Sequence, residues 1–218
     1  MNDGALPHRP ALALAALGAV AALLLGGVHL LTRDRISEAE QRRALDALTG
    51  LLPDSAYDND LLDDRIEVRI PGLAGESTVY RARLDGRPVA LVADVVTERG
   101  YSGTIRLLVA LEAGGVVEGV RVVEHSETPG LGDRIEVRRS DWIEQFGGTS
   151  LGDPPIEEWK PDRRGGAFDT LSSATITSAA VIGAVRAVLD WYASNRRQAF
   201  EDRHDEDPDA PDDEGGGP

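Results

Sequence analysis

Four residues, Glu112-Ala113-Gly114-Gly115, separate two runs rich in β-branched and leucine side chains, residues 103–111 and 116–123. A connection that short cannot carry the crossover that parallel strands need, so the two runs must pair antiparallel about a glycine turn. Upstream, Arg65-Ile66-Glu67-Val68-Arg69-Ile70 alternates polar and apolar with a period of two, as a half-exposed strand does. Residues 78–84 and 88–95 extend the pattern, bounded by glycines and by Asp85-Gly86. After the strands come a short helical pattern over residues 140–146 and then a closing helix from Ile176 to about Arg196. Strands followed by helices predict an α+β domain with a mostly antiparallel sheet and flanking helices, not a doubly wound fold.

Residues 11–32 hold no charged side chain apart from a protonated His29. Such a run matches the roughly 20 residues that span a bilayer as a helix. It exceeds the core of a secretory signal, and only His8 and Arg9 precede it as basic side chains, so it reads as a permanent anchor. Charge does not orient the anchor, because Arg9 and the α-amino group face Arg33 and Arg35, which Asp34 partly offsets. Ile36, Leu45, Leu48 and Leu52 then fall near helical spacing until Pro53, and residues 54–60 read as a loop. The expected organisation is an N-terminal segment 1–10, an anchor 11–32, a juxtamembrane helix and loop 33–64, a folded domain 65–200 and an acidic tail 201–218.

The net charge of −15 is concentrated in that tail, which carries Asp, Glu, Gly and Pro but no aromatic residue and is expected to be disordered. An acidic chain is poorly suited to nucleic acid, which is held by neutralising phosphates. There is no cysteine, which excludes disulfides, thiolate-ligated iron–sulfur clusters and thioether-attached haem. The four histidines are far apart in sequence and show no metal-ligand spacing, so no metal site is expected.

Two segments carry candidate chemistry. Asp169-Thr170-Leu171-Ser172-Ser173-Ala174-Thr175-Ile176-Thr177-Ser178 is dominated by hydroxyl side chains and runs into the closing helix. Hydroxyls there serve as caps, and a helix N-terminus also seats phosphate through free N–H groups and the positive end of the dipole. The second segment is His125-Ser126-Glu127-Thr128-Pro129-Gly130-Leu131-Gly132-Asp133, a tight exposed turn in which backbone can approach a ligand. By composition alone the first is a capped helix or a phosphate seat, and the second is a loop.

Asp169-x-x-Ser172-x-Ala174-Thr175 resembles the flavin-attachment motif, Asp-x-x-Ser/Thr-Gly-Ala-Thr, of FMN-binding subunits in bacterial ion-motive redox complexes. His125-x-Glu127-Thr128-Pro129-Gly130-Leu131-Gly132 is similar to the corresponding loop in the family of G subunits from Rnf electron-transport complexes. Gly100-Tyr101-Ser102-Gly103-Thr104-Ile105, Ser140-Asp141-Trp142-Ile143-x-x-Phe146 and Trp159 with Gly165-Gly166-x-Phe168-Asp169 fit the same likeness, which runs from the anchor to about Phe200. One position departs from it: Ser173 stands where the family has Gly, which accepts a positive φ or a close backbone approach that Ser resists.

The resemblance implies FMN held covalently by a phosphoester to Thr175. The phosphate would lie near the backbone N–H groups of residues 175–178, with Ser172, Thr177 and Ser178 as further donors, and Asp169 would serve recognition or metal positioning during the transfer or cap the turn. Ser173, Ala174, Glu127, Thr128, Leu131 and Gly132 would complete the cofactor-binding set. Leu131 and Trp142 or Trp159 are the expected ring contacts. It further implies a separate flavin transferase, other subunits of a membrane redox complex and a place in the bacterial inner membrane. The chain would cross once, with its N-terminus in the cytoplasm and its soluble domain on the periplasmic side. The role expected is an electron-carrying subunit, not a self-contained enzyme, in a complex that couples ferredoxin/NAD electron transfer to ion translocation. The corresponding subunit of the sodium-translocating quinone reductase shares the attachment motif. A non-redox anchored binding or assembly module is the reading from outside redox chemistry.

Overall fold

The computed structural model describes residues 50–201, together with Leu48 and helical backbone at residues 14–15 and 17–19. The chain divides into a unit Met1–Asp46 and a unit Ala47–Pro218, and the description below concerns the second. The anchor expected over 11–32 lies outside the described residues but for those few positions, as do most of the expected helix 33–52 and the tail beyond Glu201.

Five strands form one sheet: β1 (Arg65–Val68), β2 (Ala74–Leu84), β3 (Arg87–Thr97), β4 (Ile105–Glu112) and β5 (Val117–His125). They pair in chain order, each antiparallel to the next. The glycine turn closes as its length demands, with the Gly115 amide donating to the Glu112 carbonyl at 2.8 Å and Gly115 at φ +90°. A long helix, α1 (Thr175–Asn195), follows the sheet.

Alternation along β3 and β4 feeds two cores. Leu91, Val95, Leu107 and Val109 point to one face, where they join Val181, Val185, Val188 and Leu189 of α1. Ala90, Val92, Leu108 and Ala110 point to the other, where they meet Leu48, Leu51, Leu52 and Leu61. Burial on both faces is why β4 is apolar almost throughout while edge strand β1 alternates cleanly.

The expectation of several flanking helices needs correcting. Between residues 50 and 201 α1 is the one α-helix, and the remaining helical segments there are 3-10 turns. The short helix expected over 140–146 is a 3-10 turn, Trp142–Phe146, with Trp142, Ile143 and Phe146 all buried. Gly147 and Gly148 follow at once and leave no room for a further turn. A 3-10 turn, Asp54–Ala56, also stands where a plain loop was expected. By length and composition α1 could cross a bilayer, yet most of it is buried, so it is the core helix of the domain.

Candidate functional site

The segment leading into α1 is fixed at its start by the Trp142–Phe146 turn. Trp142 Nε1 donates to the Asp169 carbonyl at 2.7 Å, and the Asp169 amide donates to Gln145 Oε1 at 2.8 Å. Leu171 is sunk in the core, and its amide donates to Ser178 Oγ at 3.0 Å. The Ser178 hydroxyl donates in turn to the Ala174 carbonyl at 3.0 Å, so this buried side chain braces the turn from inside.

Between these fixed points the chain makes a tight turn with Ser173 at φ +71°. The position where the resembled motif has Gly therefore does adopt the left-handed conformation that Gly favours. Helix α1 starts at Thr175 behind Ala174, with no side-chain cap and no acid in its first turn. The hydroxyl-rich segment thus leaves the positive end of the helix free of a side-chain cap.

The second segment is held by β5. The Glu127 amide donates to His125 Nδ1 at 3.0 Å, which leaves His125 Nε2 as the protonated nitrogen, 2.9 Å from Glu136 Oε1. Glu136 is kept below the usual carboxylate range, first by its hydrogen bond from Arg138 and then by the one from His125, against the effect of burial. The Thr128 carbonyl accepts the amides of Leu131 and Gly132, and the Gly130 amide donates to Asp133 Oδ1 at 2.8 Å. These bonds close a compact loop with Gly130 at φ +79°.

Glu127 is buried and accepts from the Thr177 hydroxyl at 2.6 Å and from the Ser102 amide at 3.1 Å. The β3–β4 loop, the 126–132 loop and the first turn of α1 therefore meet on one carboxylate. Two glycines make that approach feasible. A Cβ on Gly100 would come within 2.6 Å of Glu127 Oε1, and one on Gly132 within 2.8 Å of Glu127 Cβ.

These segments enclose a cavity of about 520 Å³ lined by Glu127, Thr128, Leu131, Gly132 and residues 173–177, with Tyr101 at its edge. Of the residues expected there from sequence, Ser173, Ala174, Thr175 and Thr177 on one side and Glu127, Thr128, Leu131 and Gly132 on the other come together. Asp169 and Ser172 are exposed on the approaching turn, and Ser178 lies beneath it. Trp142 and Trp159 are core residues away from this lining, the latter tilted against Phe168 with ring centroids 4.6 Å apart.

Tyr101 and Ile176 lie in segments already singled out in the sequence but are not among the site residues expected from it. Tyr101 is 68% exposed, and with Ile176 and Leu131 it belongs to the few large apolar side chains left open to solvent. The usable signal was a lone aromatic between Gly100 and Gly103. Three exposed apolar side chains around one concavity mark a binding surface. Among the described residues no Lys or Arg lines the cavity, so an anion here would rest on the helix N-terminus and its amides.

Comparison with known proteins agrees in extent with these features. Residues 100–190 match the FMN-binding domain family, and residues 8–51 match the RnfG N-terminal region. The chain is 42% identical to the G subunit of the ion-translocating oxidoreductase complex of Pseudomonas aeruginosa, across 87% of this chain and 90% of the relative. It is 44% identical to the same subunit of Stutzerimonas stutzeri across 79% and 74% of the two chains. It is 35% identical to that of Vibrio atlanticus across 85% and 90%.

Proposed function

The chain belongs to the family of G subunits of ion-translocating oxidoreductase complexes, and we propose that it serves such a complex as an electron relay through FMN esterified to Thr175. The family carries the FMN-binding, electron-transferring role; the covalent bond and its site are the finer reading. One observation supports them best. The half-buried Thr175 opens a helix with no side-chain cap and lines a cavity that also takes in the exposed Tyr101, Leu131 and Ile176.

The residues fit the group. Helix amides and the helix dipole suit the singly charged phosphodiester that this linkage makes, with no basic side chain beside it among the described residues. The apolar rim suits an isoalloxazine ring. FMN supplies reversible electron transfer, and the protein's part is to hold and tune it. Glu127 is the group closest to hand for tuning: its charge, buried beside the cavity, disfavours added negative charge nearby. Asp169, exposed on the approach to Thr175, is a candidate for recognition by a flavin transferase that draws on FAD. A covalent tether suits a carrier outside the cytoplasm, where a dissociated flavin would be lost. A single crossing of the inner membrane by residues 11–32, with this domain on the periplasmic side, accords with that tether.

Mass spectrometry of the chain produced beside a flavin transferase tests the reading. A mass increase of one FMN less one water is expected, AMP leaving as the Thr175 oxygen takes the FMN phosphate of FAD, and the increase should be lost in Thr175→Ala and kept in Thr177→Ala. An unmodified, colourless wild-type chain would rule it out.

A further inference from the structure

A second, larger concavity of about 700 Å³ runs along the later turns of α1. Its lining includes Arg69 from the end of β1, Arg99 from the β3–β4 loop, and Arg186, Asp190 and Trp191 from α1. Asp190 is the one acid among them and lies 3.5 Å from Arg186. Among the described residues neither Arg69 nor Arg99 has an ion-pair partner, and both are exposed. In a chain of net charge −15, three arginines on one cleft are an unusual concentration of positive charge.

Gly183 adds an independent observation. It sits within α1, where glycine costs the helix about 1 kcal/mol relative to alanine. A Cβ there would meet no atom within 4 Å, so packing in the domain does not demand glycine. What alanine would take up is space in the cleft, beside the helix backbone.

The chain itself supplies a matching anion. Asp or Glu fills eight of the thirteen positions 202–214, against one Arg. The start of that segment is pinned, because Arg83 Nη2 donates to the Phe200 carbonyl at 2.8 Å and Arg81 Nη1 to the Glu201 carbonyl at 2.9 Å. Arg81 pairs with Asp64 just before β1, the edge strand that ends beside Arg69. Arg69 stands five positions beyond Asp64, or about 17 Å along extended chain. Thirteen residues of extended chain reach roughly 40 Å.

We propose that the acidic segment 202–214 of this same chain lies in the arginine cleft, its carboxylates paired with Arg69, Arg99 and Arg186 and its backbone passing over Gly183. Guanidinium groups suit this role because each offers forked donors to a carboxylate. The assignment is independent of the flavin and would stand if the cavity at Thr175 proved to hold nothing.

Because the chain has no cysteine, Asp209→Cys in the full-length protein accepts a single nitroxide spin label. At ~10 mM salt, where the Debye length is about 30 Å, the label should show a dominant immobilised component. At ~1 M salt, where it is about 3 Å, the label should become mobile. The double variant Arg69→Gln/Arg99→Gln should give the mobile spectrum already at low salt, and excess free peptide of residues 202–214 should release the label in the parent. A label equally mobile in every condition overturns the proposal. So does an immobilised label indifferent to the arginine substitutions, which would mean that the segment is held elsewhere. A mobile label together with salt-sensitive binding of the added peptide to the cleft also overturns it, and would assign the cleft to an acidic segment of another chain.

Discussion

The Thr177 hydroxyl donates to the buried Glu127 carboxylate at 2.6 Å, tying the first turn of α1 to a loop fifty residues earlier. Ser102 adds its amide to the same carboxylate. Removing the hydroxyl leaves a buried charge short of a donor, and bonds to charged groups are worth about 1.5–3 kcal/mol. Thr177→Val should therefore lower unfolding stability by about 2 kcal/mol in urea titration. Because this hydroxyl is committed to Glu127, covalent flavin should survive the change. A loss below about 0.5 kcal/mol would mean that the bond contributes little.

Ser173 stands at φ +71°, a conformation that costs an L-residue roughly 1–2 kcal/mol and glycine almost nothing. Glycine also has more freedom to lose on folding, so the net gain is smaller than the strain relieved. Ser173→Gly should stabilise the domain by about 0.5–1 kcal/mol, and flavin incorporation should proceed at least as fast. Ser173→Val should do the reverse, since a β-branched residue tolerates this region worst. A destabilised glycine variant would show that the Ser173 side chain has a role its exposure conceals.

Gly132 and Gly130 are two residues apart and needed for different reasons. Gly132 has ordinary backbone angles, but a Cβ there would crowd Glu127 Cβ at 2.8 Å and Thr177 Oγ1 at 3.3 Å. Gly130 has φ +79° and open space around it. Gly132→Ala should cost about 1–3 kcal/mol by overpacking and should disturb the flavin environment, seen in its absorption and fluorescence. Gly130→Ala should cost about 1 kcal/mol through the backbone alone and leave the spectrum nearly unchanged. Identical spectra for both variants would refute the distinction.

The hairpin of β4 and β5 was legible because a four-residue glycine connection permits little else. The segment 169–178 was legible from its run of hydroxyls, whereas 125–133 is a loop by composition and stood out only through the family resemblance. Tertiary packing concealed the rest. Nothing local marks Ser178 as an internal brace, because its role depends on Leu171 lying seven residues before it. Trp142 looks equally suited to stacking on a ring or to holding a carbonyl, and only the fold directs its indole to Asp169. Tyr101 was overlooked because one aromatic among glycines has no periodicity; it matters because the β3–β4 loop turns over Glu127.

Glu136 offers a test through pH. Its carboxyl lies below the ordinary value of 4.5 in the folded protein, chiefly through Arg138 and secondarily through His125. A carboxylate whose folded pKa is depressed adds stability above its unfolded pKa and loses it as pH falls through the folded value. Stability should therefore decline from about pH 4.5 downward, with Glu136 contributing to the slope. Arg138 is 78% exposed, so water and salt screen its pairing and little stability rests on it. Arg138→Ala should bring the folded pKa of Glu136 back toward its unfolded value and so flatten the acid limb in part, with little change in stability at pH 7. Glu136→Gln should flatten this part of the acid limb. The consequence reaches the cavity, because Glu136 orients the His125 ring and His125 Nδ1 holds the Glu127 amide. Flavin fluorescence should therefore shift along with the acid limb in the parent and not in Glu136→Gln. Urea midpoints at half-unit pH steps, read beside that fluorescence, decide it: an unchanged acid limb in Glu136→Gln would remove Glu136 from the account.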